Sequence, residues 1–111
     1  SLFRAPGALF QTMPDGQVSN LYTLKLANKT HQQKRIILKL QNIPGEIKVL
    51  GTELIVEPEA LAKTSVLVKL SPEIVTNGRI PLVVGVFDDG KQIETIHTVF
   101  IGPQNQSRNS Q

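Results

Sequence analysis

Hydrophobic and polar residues alternate along most of this chain. In "NLYTLKLANKT", Asn20 to Thr30, the side chains of Tyr22, Leu24 and Leu26 fall on one face and those of Thr23, Lys25 and Ala27 on the other. Period two over a strand's length predicts a half-buried β-strand. "RIILKL" repeats the pattern, with Ile36, Leu38 and Leu40 opposed to Arg35, Ile37 and Lys39, and "TSVLVKL" resumes it through Val66, Val68 and Leu70. Ile47 to Leu50 and Glu53 to Val56 read as two short strands broken near Gly51. In the lead-in, "ALFQT" supplies a short strand at most.

Turn residues separate these runs. "MPDGQ" puts Pro14 at a first corner and Gly16 where a positive φ closes the turn. Asn28 to Gln33 are all polar and form a connection, and "NIPG" at 42–45 is a turn. "EPEALAK" predicts one helical turn, too short to be a stable helix alone. Ser71 as a cap, Pro72 at a first helical position and Gly78 as a stop predict another single turn. "RIPLVVGVF" and "QIETIHTVFI" flank Asp88-Asp89-Gly90-Lys91, and Asp89-Gly90 as a two-residue loop is the strongest hairpin signal in the chain.

The result is an all-β pattern of seven to eight short strands with no long helix, punctuated about every eight to twelve residues, the signature of an antiparallel β-sandwich or small barrel. The length favours an immunoglobulin-like sandwich. Without the Cys–Trp–Cys core of antibody domains it is closer to the fibronectin III-like style. The expected core is Tyr22, Leu24, Leu26, Ile36, Leu38, Leu40, Val66, Val68 and Leu70, completed by one face of the last hairpin. A single domain spans 1–103, with 1–12 as lead-in and 104–111 as a polar tail.

That last hairpin is ambiguous, because both its faces are apolar. A two-residue tip pairs Val86 with Ile93, Val84 with Thr95 and Leu82 with His97. Leu82, Val84, Val86, Ile93, His97, Val99 and Ile101 then share one face. Val83, Phe87, Ile96 and Phe100, mixed with Glu94, share the other and form a candidate partner patch. The competing expectation is that a loop or the N-terminal segment covers that face.

Composition narrows the chemistry. Of 111 residues 40% are hydrophobic, with four Phe, one Tyr and no Trp, so the core is built from Leu, Ile and Val. Cysteine is absent, which removes disulfides, thiolate nucleophiles, zinc ribbons and iron–sulfur ligation within these residues. No run reaches the length of a membrane span and no signal peptide opens the chain. Net charge is +3, and the excess lies in residues 1–56, which hold seven basic and three acidic side chains. Such a half suits nucleic acid or anionic lipid. No Arg-rich run or interleaved aromatics accompany it, so Lys25, Lys39 and Lys48 read as solvated outward positions and nucleic acid is not expected.

No nucleophile elbow, phosphate loop, dinucleotide fingerprint or metalloprotease motif is present. His31 and His97, with Met13, are the only candidates for a copper or zinc site, and neither histidine has a second donor at ligand spacing. The carboxylate pairs Glu57/Glu59 and Asp88/Asp89 are accounted for by turns. Asn28-Lys29-Thr30 fits a glycosylation pattern, but a turn after a strand explains it better. No catalytic residue is expected.

The wording of two segments goes further than their period. "MPDGQVSNLYTLKLANKT" resembles the start of the C-terminal domain of the FixG family, also called CcoG, through Asp15, Gly16, Asn20, Tyr22, Asn28, Lys29 and Thr30. "FRAPGALFQ" resembles its lead-in. "GVFDDGKQIETIHTVFIGP" is similar to its final hairpin through Gly85, Phe87, Gly90, Lys91, Phe100, Gly102 and Pro103. The likeness covers about residues 3–103. It implies a bacterial inner-membrane parent with several spans and an upstream ferredoxin-like segment holding two [4Fe–4S] clusters. That parent is associated with assembly of the cbb3-type cytochrome c oxidase and with copper handling.

The resemblance implies no cofactor in this domain, since the cluster cysteines lie upstream. It implies an accessory, non-catalytic interaction domain on the periplasmic side. Expected partners are proteins: the parent's own membrane portion, an oxidase subunit or a copper chaperone. Two alternatives stay open, a copper-binding metallochaperone-like domain and a spacer or binding module of a secreted protein. Sugar sites need exposed aromatic platforms, which one Tyr and no Trp do not supply.

Overall fold

The computed structural model describes residues 1–5 and 9–104. The Pro6-Gly7 pair of the lead-in and the tail from residue 105 onward lie outside the described residues. Among the described residues nine strands form, β1 (Leu2–Arg4), β2 (Gln11–Thr12), β3 (Val18–Ala27), β4 (Lys34–Leu40), β5 (Glu46–Val49), β6 (Leu54–Val56), β7 (Leu61–Leu70), β8 (Asn77–Asp88) and β9 (Lys91–Gln104). They make two antiparallel sheets. The first has the order β1-β3-β7-β5, with β2 also paired to β3; the second has the order β6-β4-β8-β9. The all-β sandwich expected from the periodicity is therefore present. The ninth strand is Leu2–Arg4 in the lead-in, and Gln104, expected to open the tail, closes β9 instead.

The alternation along each strand places the core. Tyr22, Leu24 and Leu26 of β3 and Val66, Val68 and Leu70 of β7 face Ile36 and Leu38 of β4 and Leu82, Val84 and Val86 of β8, all buried. Leu40 is only partly buried and packs on this cluster from its margin. Fully burying each such aliphatic side chain is worth about 1.5–3 kcal/mol, more than a typical net hydrogen bond at about 1 kcal/mol. The facing aliphatic layers are accordingly the main source of stability.

The short strands on either side of Gly51 end in different sheets, β5 beside β7 and β6 beside β4. The helical turn expected in "EPEALAK" does not form. Glu59 turns the chain with φ of 55°, and β7 then pairs with β3 down to Ala27↔Leu61, so the ladder claims those residues. A single turn does form after Ser71, where the Ile74 N–H donates to the Ser71 carbonyl at 3.0 Å. Gly78 does not end it; it lies inside β8, beside an irregularity in the β8–β9 pairing.

The last hairpin corrects the expected register. Asp89 and Gly90 both have positive φ, 51° and 77°, the conformation a two-residue primed turn requires and glycine adopts without penalty. Asp88↔Lys91 and Phe87↔Gln92 pair as expected, but Val86 then faces Glu94, because Ile93 is the extra residue of a β-bulge. Val84 faces Ile96, Leu82 faces Thr98 and Val83 faces His97. A shift of one residue sends every later side chain of β9 to the other face. Ile96 and Phe100 therefore enter the core, fully or nearly so. The proposed patch of Val83, Phe87, Ile96 and Phe100 is thus split, with Val83 and Phe87 outside and half-buried. His97 is an exposed outer-face residue rather than a companion of Leu82. The described N-terminal residues do not cover the outer face of the second sheet, because β1 is paired to β3 in the first.

Candidate functional site

Three of the residues that carry the family resemblance, Asn20, Tyr22 and Asn28, tie the two sheets together. β3 alternates inward through 18, 20, 22, 24 and 26, so Asn20 is carried into the core at 1% exposure beside Tyr22 at 0%. A buried amide needs partners. The Asn20 amide nitrogen donates to the Ile101 carbonyl at 2.7 Å, and its Oδ1 accepts the Ile101 N–H at 2.9 Å. Tyr22 donates its hydroxyl to the Val99 carbonyl at 2.8 Å. These contacts satisfy backbone groups of β9 on the edge that has no neighbouring strand, and they join the first sheet to the second. Burial pushes the Tyr22 phenol well above its ordinary range, and the Arg4 charge opposes that shift.

Asn28, just past the end of β3, is also buried. Its amide nitrogen lies 2.7 Å from the Gln32 carbonyl and 3.1 Å from those of Val56 and Glu57. Its Oδ1 accepts the Thr30 N–H at 3.0 Å and the Thr30 hydroxyl at 2.7 Å. Asn28 and Thr30 thus shape the β3–β4 connection and moor it to the end of β6, while Lys29 between them is exposed. The buried, fully engaged amide supports the turn reading of this triplet over the glycosylation pattern.

The remaining motif residues divide similarly. The Asp15 carboxylate accepts the Gln17 N–H at 3.0 Å, closing the turn at Gly16. Gly102 allows close packing, since a Cβ there would run into Val75 Cγ1. Pro103 is exposed. The motif contains Asn20 and Asn28, but their task of joining strands is not spelled out by it. The available signal is a polar side chain on the inward parity of an otherwise apolar strand face, within β3 for Asn20 and just past its end for Asn28.

The structure does not bring His31, His97 and Met13 together. His31 follows β3 at one end of the sandwich and faces the Glu59 carboxylate at 3.3 Å, with both side chains largely exposed. Met13 precedes β3 at the other end, where the Ser19 hydroxyl contacts its sulfur at 3.5 Å. The ten residues of β3 separate the two ends by about 30 Å. His97 stands on the outer face of the second sheet. Among the described residues no group of three or more His, Cys, Asp or Glu side chains is placed to hold a metal ion. Of the paired carboxylates, Asp88 meets Lys34 at 3.2 Å and accepts the Arg35 N–H, bracing the end of the sheet.

One surface retains apolar character. On the outer face of the second sheet, Ile37 of β4 pairs with Phe87 of β8 and is 52% exposed. Ile55 of β6 lies opposite Arg35, and Lys39 holds its ammonium 4.7 Å from the centre of the Phe87 ring. A shallow cleft of about 300 Å³ opens beside it, between β4, β5 and β6.

Comparison with known proteins agrees with this architecture. A family model described as "IG-like fold at C-terminal of FixG, putative oxidoreductase" matches residues 1–103. Among solved structures, a FixG-related protein from Vibrio parahaemolyticus superposes with a TM-score of 0.68 at 23% identity, over 91% of this chain and 92% of that one. At that identity the likeness speaks to the fold. No curated protein matches the chain. With two antiparallel sheets and a family match along nearly its whole length, the chain belongs to the family of immunoglobulin-like domains found at the C-terminus of FixG.

Proposed function

We propose that this domain is the non-catalytic contact module of a FixG-type, membrane-bound iron–sulfur protein that takes part in assembly of a cbb3-type oxidase and in copper handling. In this reading the redox chemistry belongs to the upstream part of that longer protein, and the domain sits on the periplasmic side. The observation that carries it is the use made of the buried polar groups. Asn20, Tyr22 and Asn28 are engaged in joining strands, and the described buried side chains include no unpartnered polar atom. Chemistry inside the sandwich has nothing to act with, so the surface is its working part. Among the described residues no helix is long and apolar enough to cross a membrane, and this reading assigns the spans to the upstream part as well.

The contact surface we assign is the outer face of the second sheet around Ile37, Phe87 and Ile55, with Lys39 and Arg35 at its margin. Exposed aliphatic side chains ringed by charge suit a protein partner of the oxidase pathway or the parent's own membrane portion. The test is made in the longer protein. Ile37→Asp is expected to leave its iron–sulfur content unchanged while assembled oxidase falls. Normal oxidase assembly in a parent lacking residues 1–103 overturns the proposal. Titration of the chain with Cu(I) and Cu(II) is expected to show no saturable binding at micromolar concentration; saturation there favours the metallochaperone reading instead.

A further inference from the structure

The first sheet has an outer face of its own, and its charge is one-sided. Register places Lys25, Lys63, Lys69 and Lys48 outward on β3, β7 and β5, with Glu46 the one acidic strand residue among them. Glu46 is taken by Lys69 at 3.5 Å. The excess on this single face equals the net +3 of the whole chain, so the remainder of the molecule is balanced. Lys25 and Lys63 are directly opposite one another in the antiparallel ladder, where Cβ atoms lie about 5 Å apart and like charges repel. Among the described residues no carboxylate pairs with either.

Apolar side chains stand beside this pair. Leu61, two residues before Lys63 on the same face, is 66% exposed, and Phe3, opposite Thr23, is 40% exposed, with the Lys25 ammonium 5.6 Å from its ring. We propose that this face docks on an anionic lipid bilayer, the lysines meeting headgroup phosphates and Leu61 and Phe3 entering the interfacial zone. The lysines stand on an open sheet face, and the hollow at its end beside Leu61 is lined by the Glu59 carboxylate as well as Lys29, which does not suit a small anion. Lysines act as point charges rather than the bidentate forks that arginine offers to a specific carboxylate or phosphate. Protruding aliphatic and aromatic groups gain nothing against a polar phosphate backbone but gain at a membrane interface. This inference uses the opposite sheet from the protein contact above, so either can fail without the other.

The test is co-sedimentation of the chain with phosphatidylcholine vesicles, with and without phosphatidylglycerol. Binding is expected with the anionic vesicles alone and is expected to weaken in high salt. At about fivefold per lysine, Lys25→Ala with Lys63→Ala lowers the partition coefficient about thirtyfold. The same double variant gains a slightly higher unfolding midpoint, because the repulsion is gone. Leu61→Ser weakens binding with the charge intact, whereas Arg79→Ala with Lys91→Ala, which removes equal charge from the second sheet, leaves it within about twofold, on the same estimate of a cation's local effect. Equal loss in that control, or no binding to anionic vesicles, overturns the proposal. Retention on immobilised polyglutamate without vesicle binding also overturns it and assigns the face to an acidic protein.

Discussion

Asn20 and Ile101 are hydrogen-bonded to each other twice, amide nitrogen to carbonyl at 2.7 Å and N–H to Oδ1 at 2.9 Å. One side chain of β3 thereby imitates the backbone of a neighbouring strand along the free edge of β9. The contact links residues 81 apart in sequence and ties the first sheet to the last strand of the second.

Asn20→Ala removes both bonds and leaves two backbone groups of β9 unpaired in a part-buried site. The expected loss is about 2–6 kcal/mol, since each of the two orphaned groups costs about 1–3 kcal/mol. Asn20→Asp keeps the acceptor and loses the donor, so it fails to restore stability at neutral pH. Urea unfolding of both variants checks this.

Tyr22 is the one tyrosine and the chain has no tryptophan, so absorbance of tyrosinate reports this residue alone. Its titration in the folded chain is expected above the ordinary value of about 10, because burial disfavours the phenolate. A raised folded-state pKa means the folded chain holds the proton more tightly than the unfolded chain. Its contribution is therefore complete below about pH 10 and is lost as pH rises beyond it. Tyr22→Phe is expected to flatten that alkaline decline relative to the parent chain, measured by unfolding midpoints on either side of pH 10.

Gly102→Ala drives a methyl into Val75 and is expected to cost about 1–3 kcal/mol. Shortening Val75 to Ala opens room for it. A double-mutant cycle should therefore give a coupling energy of at least about 0.5 kcal/mol, the double variant being more stable than the sum of the singles.

Ile37→Ser tests the outer face of the second sheet separately from the core. Because Ile37 is 52% exposed, its loss is expected to change stability by no more than about 0.5 kcal/mol. Under the proposed function, the same change made in the parent protein is expected to lower assembled oxidase. A large stability loss, seen in thermal unfolding, would mean that Ile37 serves folding instead.

The strands were legible where apolar positions kept period two without interruption. Tyr22, Leu24, Leu26, Val66, Val68 and Leu70 are buried as their spacing implies. The hairpin tip was legible because Asp89-Gly90 has a local conformational requirement. The pairing beyond it was not. A bulge at Ile93 leaves no mark in a strand whose two faces are both apolar, so the period alone groups Ile96 and Phe100 with the candidate patch although they are core residues. The roles of Asn20 and Asn28 were hidden for a related reason, since their partners are backbone carbonyls that carry no residue identity.

By itself the sequence determined the all-β class, the places where the chain turns and most of the aliphatic core, because these follow from side-chain period and local backbone preference. Only the tertiary structure decided which sheet each short strand joins, which face of the last hairpin is buried and where the charge accumulates. Those outcomes depend on register between distant segments, such as Lys25 opposite Lys63, and register is set by packing of the whole sandwich.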